Sequence, residues 1–267
     1  MRRRILIIDD HDDLASEINE TFTELGHDVT VVENRRKALQ VDDLEDYDLV
    51  ITDLDVGRHG PGTTTNNGSQ PECLSKSVDA PGSERIKAFK IRATNFCGDQ
   101  FNEEELREMI ATVLDYKIRF VDKTDVVQDL HENIEFELPS AISLMHVVLE
   151  YLMRRVEKLG VVKTEQSNLF VALDEAFVNA IKHGNKYDAA KLIRVIAEVS
   201  KSEARFTIED EGEGFDLNSI PDPLDPENLF KTSGRGVLFI YNIMDEVKYN
   251  ERGNRLTMVK KRNEISG

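Results

Sequence analysis

Val171–Lys186, VALDEAFVNAIKHGNK, sets Glu175, Asn179 and His183 at four-residue steps among Leu173, Ala176, Phe177, Val178, Ala180 and Ile181. Side chains four apart on an α-helix share a face, so the spacing predicts a helix with a polar stripe on an apolar body. Gly184 closes that helix, and His183 in its last turn suits the negative end of the dipole. The stripe faces either water or something bound. On this stretch alone a solvated face is the commoner outcome, and the rest of the chain has to decide.

Downstream, LIRVIAEVS and EARFTIEDEG read as strands, the second alternating Ala204, Phe206 and Ile208 toward Asp210. DEGEGFD places Asp210 at a strand end, with Gly212 and Gly214 letting the backbone turn tightly and approach a flat ligand. SGRGVLFIYNIMDEV puts Gly234 and Gly236 at the start of an apolar helix, whose free N–H groups favour phosphate. Between them DLNSIPDPLDPENLFKT is proline-rich and polar, and long enough to fold over a ligand as a lid from Asp216 to Ser233. RLTMVKK reads as a last strand. Upstream, IEFELP reads as a strand and Ser140 to Leu159 as a long amphipathic helix; His146, flanked by Leu144, Val147 and Val148, reads as an ordinary helix residue.

In that order, DEAFVNAIKHG, DEGEGFD, DPLDPENLF, SGRGVLFIYNIMDEV and GNRLTMVKKR resemble the nucleotide site of the GHKL (histidine-kinase-like) ATPase superfamily. Within it they resemble the anti-sigma factor serine kinases, over roughly Ile134 to Arg262. The resemblance implies a two-layer α/β domain with a mixed sheet that binds ATP with Mg²⁺. It implies that Asn179 binds the Mg²⁺, that Asp210 accepts from the adenine amino group and that Thr257 supports the adenine edge. Gly212, Gly214, Gly234 and Gly236 would shape the pocket, Arg235 would reach the terminal phosphate or face a partner, and Glu175 would be the catalytic base. The implied partners are an anti-anti-sigma protein of the STAS type, as substrate, and a sigma factor; a homodimer is compatible with the reading. Phosphoryl transfer needs a serine hydroxyl relieved of its proton and a metal that neutralises phosphate charge. With Glu175 one turn before Asn179, the stripe then faces bound ATP.

The first half alternates strands and helices. RRRILIIDD, a helix to about Leu25, HDVTVVE and YDLVITDLD predict a doubly wound parallel sheet with Asp9, Asp10 and Asp53 at carboxyl ends of strands. Three carboxylates there suit a divalent cation, or else simply cap helices. This half resembles a response-regulator receiver domain, Asp9 and Asp10 matching its acidic pair and Asp53 its phosphorylated aspartate. Where receivers carry Lys-Pro after the fifth strand, NFCGDQFNEEEL reads Asp99-Gln100, so the cation that pairs with the phosphoryl group is expected to be missing; Ser77 is a candidate for the hydroxyl position. The resemblance is therefore to a degenerate receiver, with phosphorylation of Asp53 slow, short-lived or absent. Gly57 to Ser83 reads as a long loop, and ERIKAFKIRATNF and NEEELREMIATVLDY both read as helices. The expected division is a receiver-like domain over 1–118, a linker over 119–133 and an ATPase/kinase domain over 134–263.

The 267 residues suffice for two ordinary domains, and 40% hydrophobic with 32% charged residues is a globular composition. No apolar run approaches the ~18 residues of a membrane span, and ILII after MRRR is too short for a signal-peptide core, so a cytoplasmic protein with no membrane partner is expected. Cys73 and Cys97 have neither CxxC spacing nor a framework count, which suits a reducing compartment. A net charge of -17 argues against direct nucleic-acid binding. The competing reading from another class is a non-catalytic ATP-binding interaction module that regulates partner exchange. Glu175 discriminates, because a pure binder needs no base beside the metal ligand. A histidine kinase fits less well, since no helix ahead of the ATP site carries a convincing phosphoacceptor histidine.

Overall fold

The computed structural model describes residues 2–10, 14–38, 40–41, 44–57, 85–96, 102–121, 131–163, 168–214 and 235–262. Most of the expected long loop, the lid, Ser77, Cys73, Cys97, Asp99, Gln100 and Gly234 lie outside the described residues. The elements of the N-terminal half are β1 (Arg4–Asp9), α1 (Ala15–Glu24), β2 (Asp28–Val32), α2 (Arg35–Ala38), β3 (Leu49–Gly57), β4 (Arg85–Arg92) and α3 (Glu103–Tyr116). The C-terminal half follows with β5 (His131–Pro139), α4 (Ile142–Lys158), α5 (Leu169–Asn179), β6 (Leu192–Val199), β7 (Glu203–Asp210), α6 (Arg235–Ile243), β8 (Glu246–Tyr249) and β9 (Arg255–Lys261). The fold is α/β, and the described strands form one nine-stranded mixed sheet in the order β2-β1-β3-β4-β5-β6-β7-β9-β8.

β1 lies parallel to both β2 and β3, as the alternation of strands and helices implies. β4 departs from the expectation twice. It runs antiparallel to β3, with Ile51 opposite Ile91, so the N-terminal sheet is not wholly parallel. Parallel pairing needs a crossover, usually helical, and the sequence between β3 and β4 has no helical period to build one. ERIKAFKIRATNF, read as a helix, is this strand. Ala88 is buried with Leu6, Ile8 and Val50 on one face of the sheet, while Phe89 and Ile91 are buried on the other. A strand covered on both faces loses the alternation by which strands are recognised, and its Lys and Ala then mimic a helix.

β4 also joins the halves, pairing in parallel with β5 (Ile91 opposite Phe136). On the helical side of that seam Phe89 meets Phe136 edge-on at 6.3 Å and Tyr151 at 5.6 Å. On the other side Lys90 Nζ lies 3.0 Å from Glu135 and Arg92 Nε 3.3 Å from Glu137. One core runs from Ile5 and Phe22 through Ile110, Leu149 and Phe177 to Met258, so α1, α3, α4 and α5 cover a common face. In the C-terminal half the opposite face carries Arg194, Glu209 and Thr257 at half-exposed positions.

Leu169, Ala172, Leu173, Ala176 and Phe177 give α5 its buried face, which leaves Glu175 and Asn179 on the rim. The helix widens over Ala180–Gly184 into a π-turn, with Asn185 N–H donating to the Ala180 carbonyl at 2.8 Å. Such local π geometry is rare and concentrates at functional sites.

Candidate functional site

The stripe of α5 meets the first turn of α6. A Cβ on Gly236 would meet the Glu175 carboxylate and lie 3.7 Å from Asn179 Nδ2, so both side chains reach the first turn of α6. Glu175 and Asn179 thus converge on the N-terminal end of α6, where backbone N–H groups and the helix dipole favour anionic groups. His183, one turn beyond, is exposed. Asn179 Nδ2 is buried without a hydrogen-bond partner among the described residues. A buried polar atom left unpaired is costly, so this amide calls for a partner from beyond the described residues, whether protein or ligand. Rotating the carboxamide by half a turn presents its oxygen to the same space, a hard donor that suits Mg²⁺. The Arg235 side chain lies outside the described residues.

At the other end of the π-turn, Gly184 packs on Asp210, and a Cβ there would overlap its carboxyl. Asp210 is buried, and Gly212 N–H donates to its Oδ1 at 2.8 Å. Burial pushes the carboxyl above its ordinary value of 3.8; the Gly212 N–H pulls the other way and the neighbouring Glu209 charge adds to the rise. Gly214 takes φ 78°, the left-handed region that glycine tolerates, with its Cα against the Arg252 carbonyl. The structure therefore brings together Glu175, Asn179 and Gly236 at one end, and Asp210, Gly212 and Gly214 at the other. Beside Asp210 on the helix-free side lies a cavity of about 420 Å³ lined by Glu137, Arg194, Glu209 and Asn254 among others. Neither Glu175 nor Asn179 lines it.

Thr257 is set apart from this group. It pairs with Thr207, hydroxyl to hydroxyl at 3.2 Å, on the helix-free face. Asp210 stands three residues beyond Thr207, on the opposite face and about 10 Å along the strand. Asn254 lies nearer Asp210: its Nδ2 donates to the Asp210 carbonyl at 2.7 Å, and its own carbonyl accepts the Asp210 N–H at 3.0 Å. Asn185, wholly buried, is the other residue that the sequence reading missed. The available signal for both was an asparagine beside a glycine, which reads as ordinary turn chemistry.

In the N-terminal half, Asp9 is buried, and its Oδ2 accepts from the backbone N–H groups of Leu14 at 2.8 Å and Ala15 at 3.0 Å. It acts as the cap of α1. Asp53 is its neighbour in the β1–β3 register, and Asp10 is exposed. Among the described residues no group of three His, Cys, Asp or Glu side chains is placed to hold a metal ion. The expectation that Asp53 lacks a cation is corrected. Lys117, just past the end of α3, reaches it with Nζ 2.6 Å from Oδ2, buried and 4.6 Å above the Phe89 ring. The lysine comes from 64 positions downstream rather than from the stretch around Asp99.

The exposed His146 side chain lies 3.8 Å from Asp174, in keeping with an ordinary helix residue. No described helix is long and apolar enough to cross a membrane.

Residues 138–260 match the histidine kinase-like ATPase domain, and residues 5–111 match the response regulator receiver domain. Over 142 residues, 50% of the chain, the sequence is 27% identical to the serine-protein kinase RsbW of Staphylococcus epidermidis, of which 89% is covered. The serine-protein kinase RsbW of Staphylococcus aureus (strain JH9) is 25% identical over the same length and coverage. The residues matched to the ATPase domain, 138–260, include the α5 stripe and Asp210. The chain thus joins a response regulator receiver domain to an ATPase domain of the histidine kinase-like (GHKL) family, and over half its length it is similar to serine-protein kinases.

Proposed function

We propose that the protein is an ATP-dependent protein serine kinase and anti-sigma factor of a partner-switching pathway in the cytoplasm. Its substrate is an anti-anti-sigma protein of the STAS type and its second partner a sigma factor, identities that rest on the resemblance and on the kinase relatives. The kinase domain spans 134–263, and the receiver-like domain, 1–118, acts through the 119–133 linker. The observation that carries this reading is that Glu175 and Asn179, whose amide nitrogen has no partner among the described residues, both lie against Gly236 at the N-terminus of α6. Glu175 takes the proton of the attacking serine hydroxyl, and Asn179 holds Mg²⁺ through its carboxamide oxygen. When bound, the ion neutralises charge on the phosphates. Asp210 accepts from the amino group of adenine, and the α6 N-terminus receives phosphate.

The test is incubation of the chain with Mg·ATP and the STAS-type protein recovered with it by pull-down. Phosphate is expected on a serine of that protein. Nucleotide binding with no transfer to any co-purified protein would move the non-catalytic interaction module ahead.

The raised pKa of Asp210 gives a further expectation. The folded carboxyl holds its proton better than the unfolded one, so its ionisation lowers stability as pH rises from 3.8 through the raised value. Its capacity to accept from adenine is lost in the opposite direction, as pH falls through that value. ATP affinity should therefore weaken as pH falls through the raised value toward 3.8, and Asp210→Asn, whose oxygen does not titrate there, should flatten the profile. Calorimetric titration across the acid range checks this; identical profiles would remove Asp210 from base recognition.

A further inference from the structure

We propose that Asn185 is a positioning residue of the nucleotide site, its carboxamide clamping the end of β7 to the π-turn of α5 and so fixing the Asp210 carboxylate. This rests on the reading of Asp210 as the acceptor of a purine amino group. Asn185 has 0% exposure. Its Nδ2 donates to the Leu192 carbonyl at 2.9 Å, and its Oδ1 accepts from Glu211 N–H at 2.9 Å. One side chain therefore ties together the end of α5, the start of β6 and the end of β7. Only a carboxamide offers a donor and an acceptor in one rigid plane for these two backbone groups; aspartate lacks the donor and alanine lacks both.

The residues tied are the immediate neighbours of the site. Glu211 follows Asp210, and Gly184, whose Cα abuts the Asp210 carboxyl, precedes Asn185. The clamp thus sets the separation between the α5 face that carries Asn179 and the carboxylate at the far end. Lys186 and Tyr187 leave the clamp at φ 57° and 60°, left-handed conformations that are uncommon outside glycine and persist only where surrounding contacts impose them.

A second asparagine holds the other flank. Asn254 exchanges two hydrogen bonds with the Asp210 backbone, and Asn250 Nδ2 steadies its Oδ1 at 3.0 Å. With Gly212 N–H on Oδ1, the second carboxylate oxygen carries no hydrogen bond among the described residues. The backbone of Asp210 is fixed from both sides, while one oxygen is left for a ligand.

The experiment compares ATP with inosine triphosphate, which lacks the exocyclic amine and turns a carbonyl toward the carboxylate. Binding to the full chain is measured for wild type, Asn185→Ala and Asn254→Ala, each first checked for folding by circular dichroism. Wild type should prefer ATP by roughly tenfold or more, the scale of one hydrogen bond to a charged acceptor. Both variants should bring the ratio to within about threefold of unity, because a displaced carboxylate no longer tells the two bases apart. A merely structural asparagine would lower both affinities together and preserve the ratio, which would overturn the clamp. If Asn185→Ala does not fold, the ratio in Asn185→Asp, which keeps the acceptor for Glu211 N–H and loses the donor to Leu192, decides, retention overturning the proposal and collapse supporting it. Wild type that binds neither nucleotide, or both equally, defeats the reading of Asp210 itself.

Discussion

Glu175→Ala keeps Mg·ATP binding and loses phosphoryl transfer by about 10²–10⁴-fold, the usual contribution of a general base, whereas Asn179→Ala abolishes binding. The two residues share one face of α5 and meet the same glycine of α6, so both substitutions disturb the same packing. Their effects nevertheless separate, because one group acts on the proton of the attacking hydroxyl and the other on the charge of the phosphates. Among the described residues the Asn179 amide nitrogen has no partner, so its truncation should leave the apolar face of α5 untouched. Glu175→Gln serves as the control for shape, since it keeps the contact with Gly236 and removes the basicity. A fluorescent nucleotide reports binding and a labelled γ-phosphate reports transfer. Wild-type transfer by Glu175→Gln would show that the carboxylate is not the base, and strong Mg·ATP binding by Asn179→Ala would place the metal elsewhere.

Lys117→Met should lower the unfolding free energy by about 3–5 kcal/mol, the penalty of leaving one charge of a buried pair uncompensated. Lys117 and Asp53 are 3% and 9% exposed, and their charged atoms are 2.6 Å apart. The methionine fills the volume above Phe89, so most of the loss comes from the stranded Asp53 carboxylate rather than from packing. Replacing both partners, as Lys117→Met with Asp53→Leu, should recover most of it, because an apolar pair of similar volume avoids the desolvation that the ions incur. Urea unfolding midpoints decide. A single variant as stable as wild type would mean that Asp53 is hydrated and the pair contributes nothing.

α5 and its polar stripe were legible because a helix writes its periodicity into consecutive residues: Glu175 and Asn179 share a face wherever the helix packs. The same holds for Asp210 at the end of an alternating strand and for Asp9 at the end of an apolar one, whereas Asp53, expected at a strand end, lies within β3, which pairs with β4 as far as Gly57. Local backbone geometry fixes those placements before any tertiary contact forms. β4 was misread because its residues are buried on two faces, and what covers them lies elsewhere in the chain. Lys117 is one lysine after a charged helix until the fold lays it on Asp53, 64 residues away in sequence. Thr257 and Asn254 differ in role through the pairing of β7 with β9, which sets Thr257 opposite Thr207 and leaves Asn254 to the Asp210 backbone. Sequence periodicity determined the elements and the face each residue occupies, because period is a property of the chain within one element. Only the tertiary structure decided which faces meet, because strand register and buried ion pairs depend on segments that are distant in sequence and close in space.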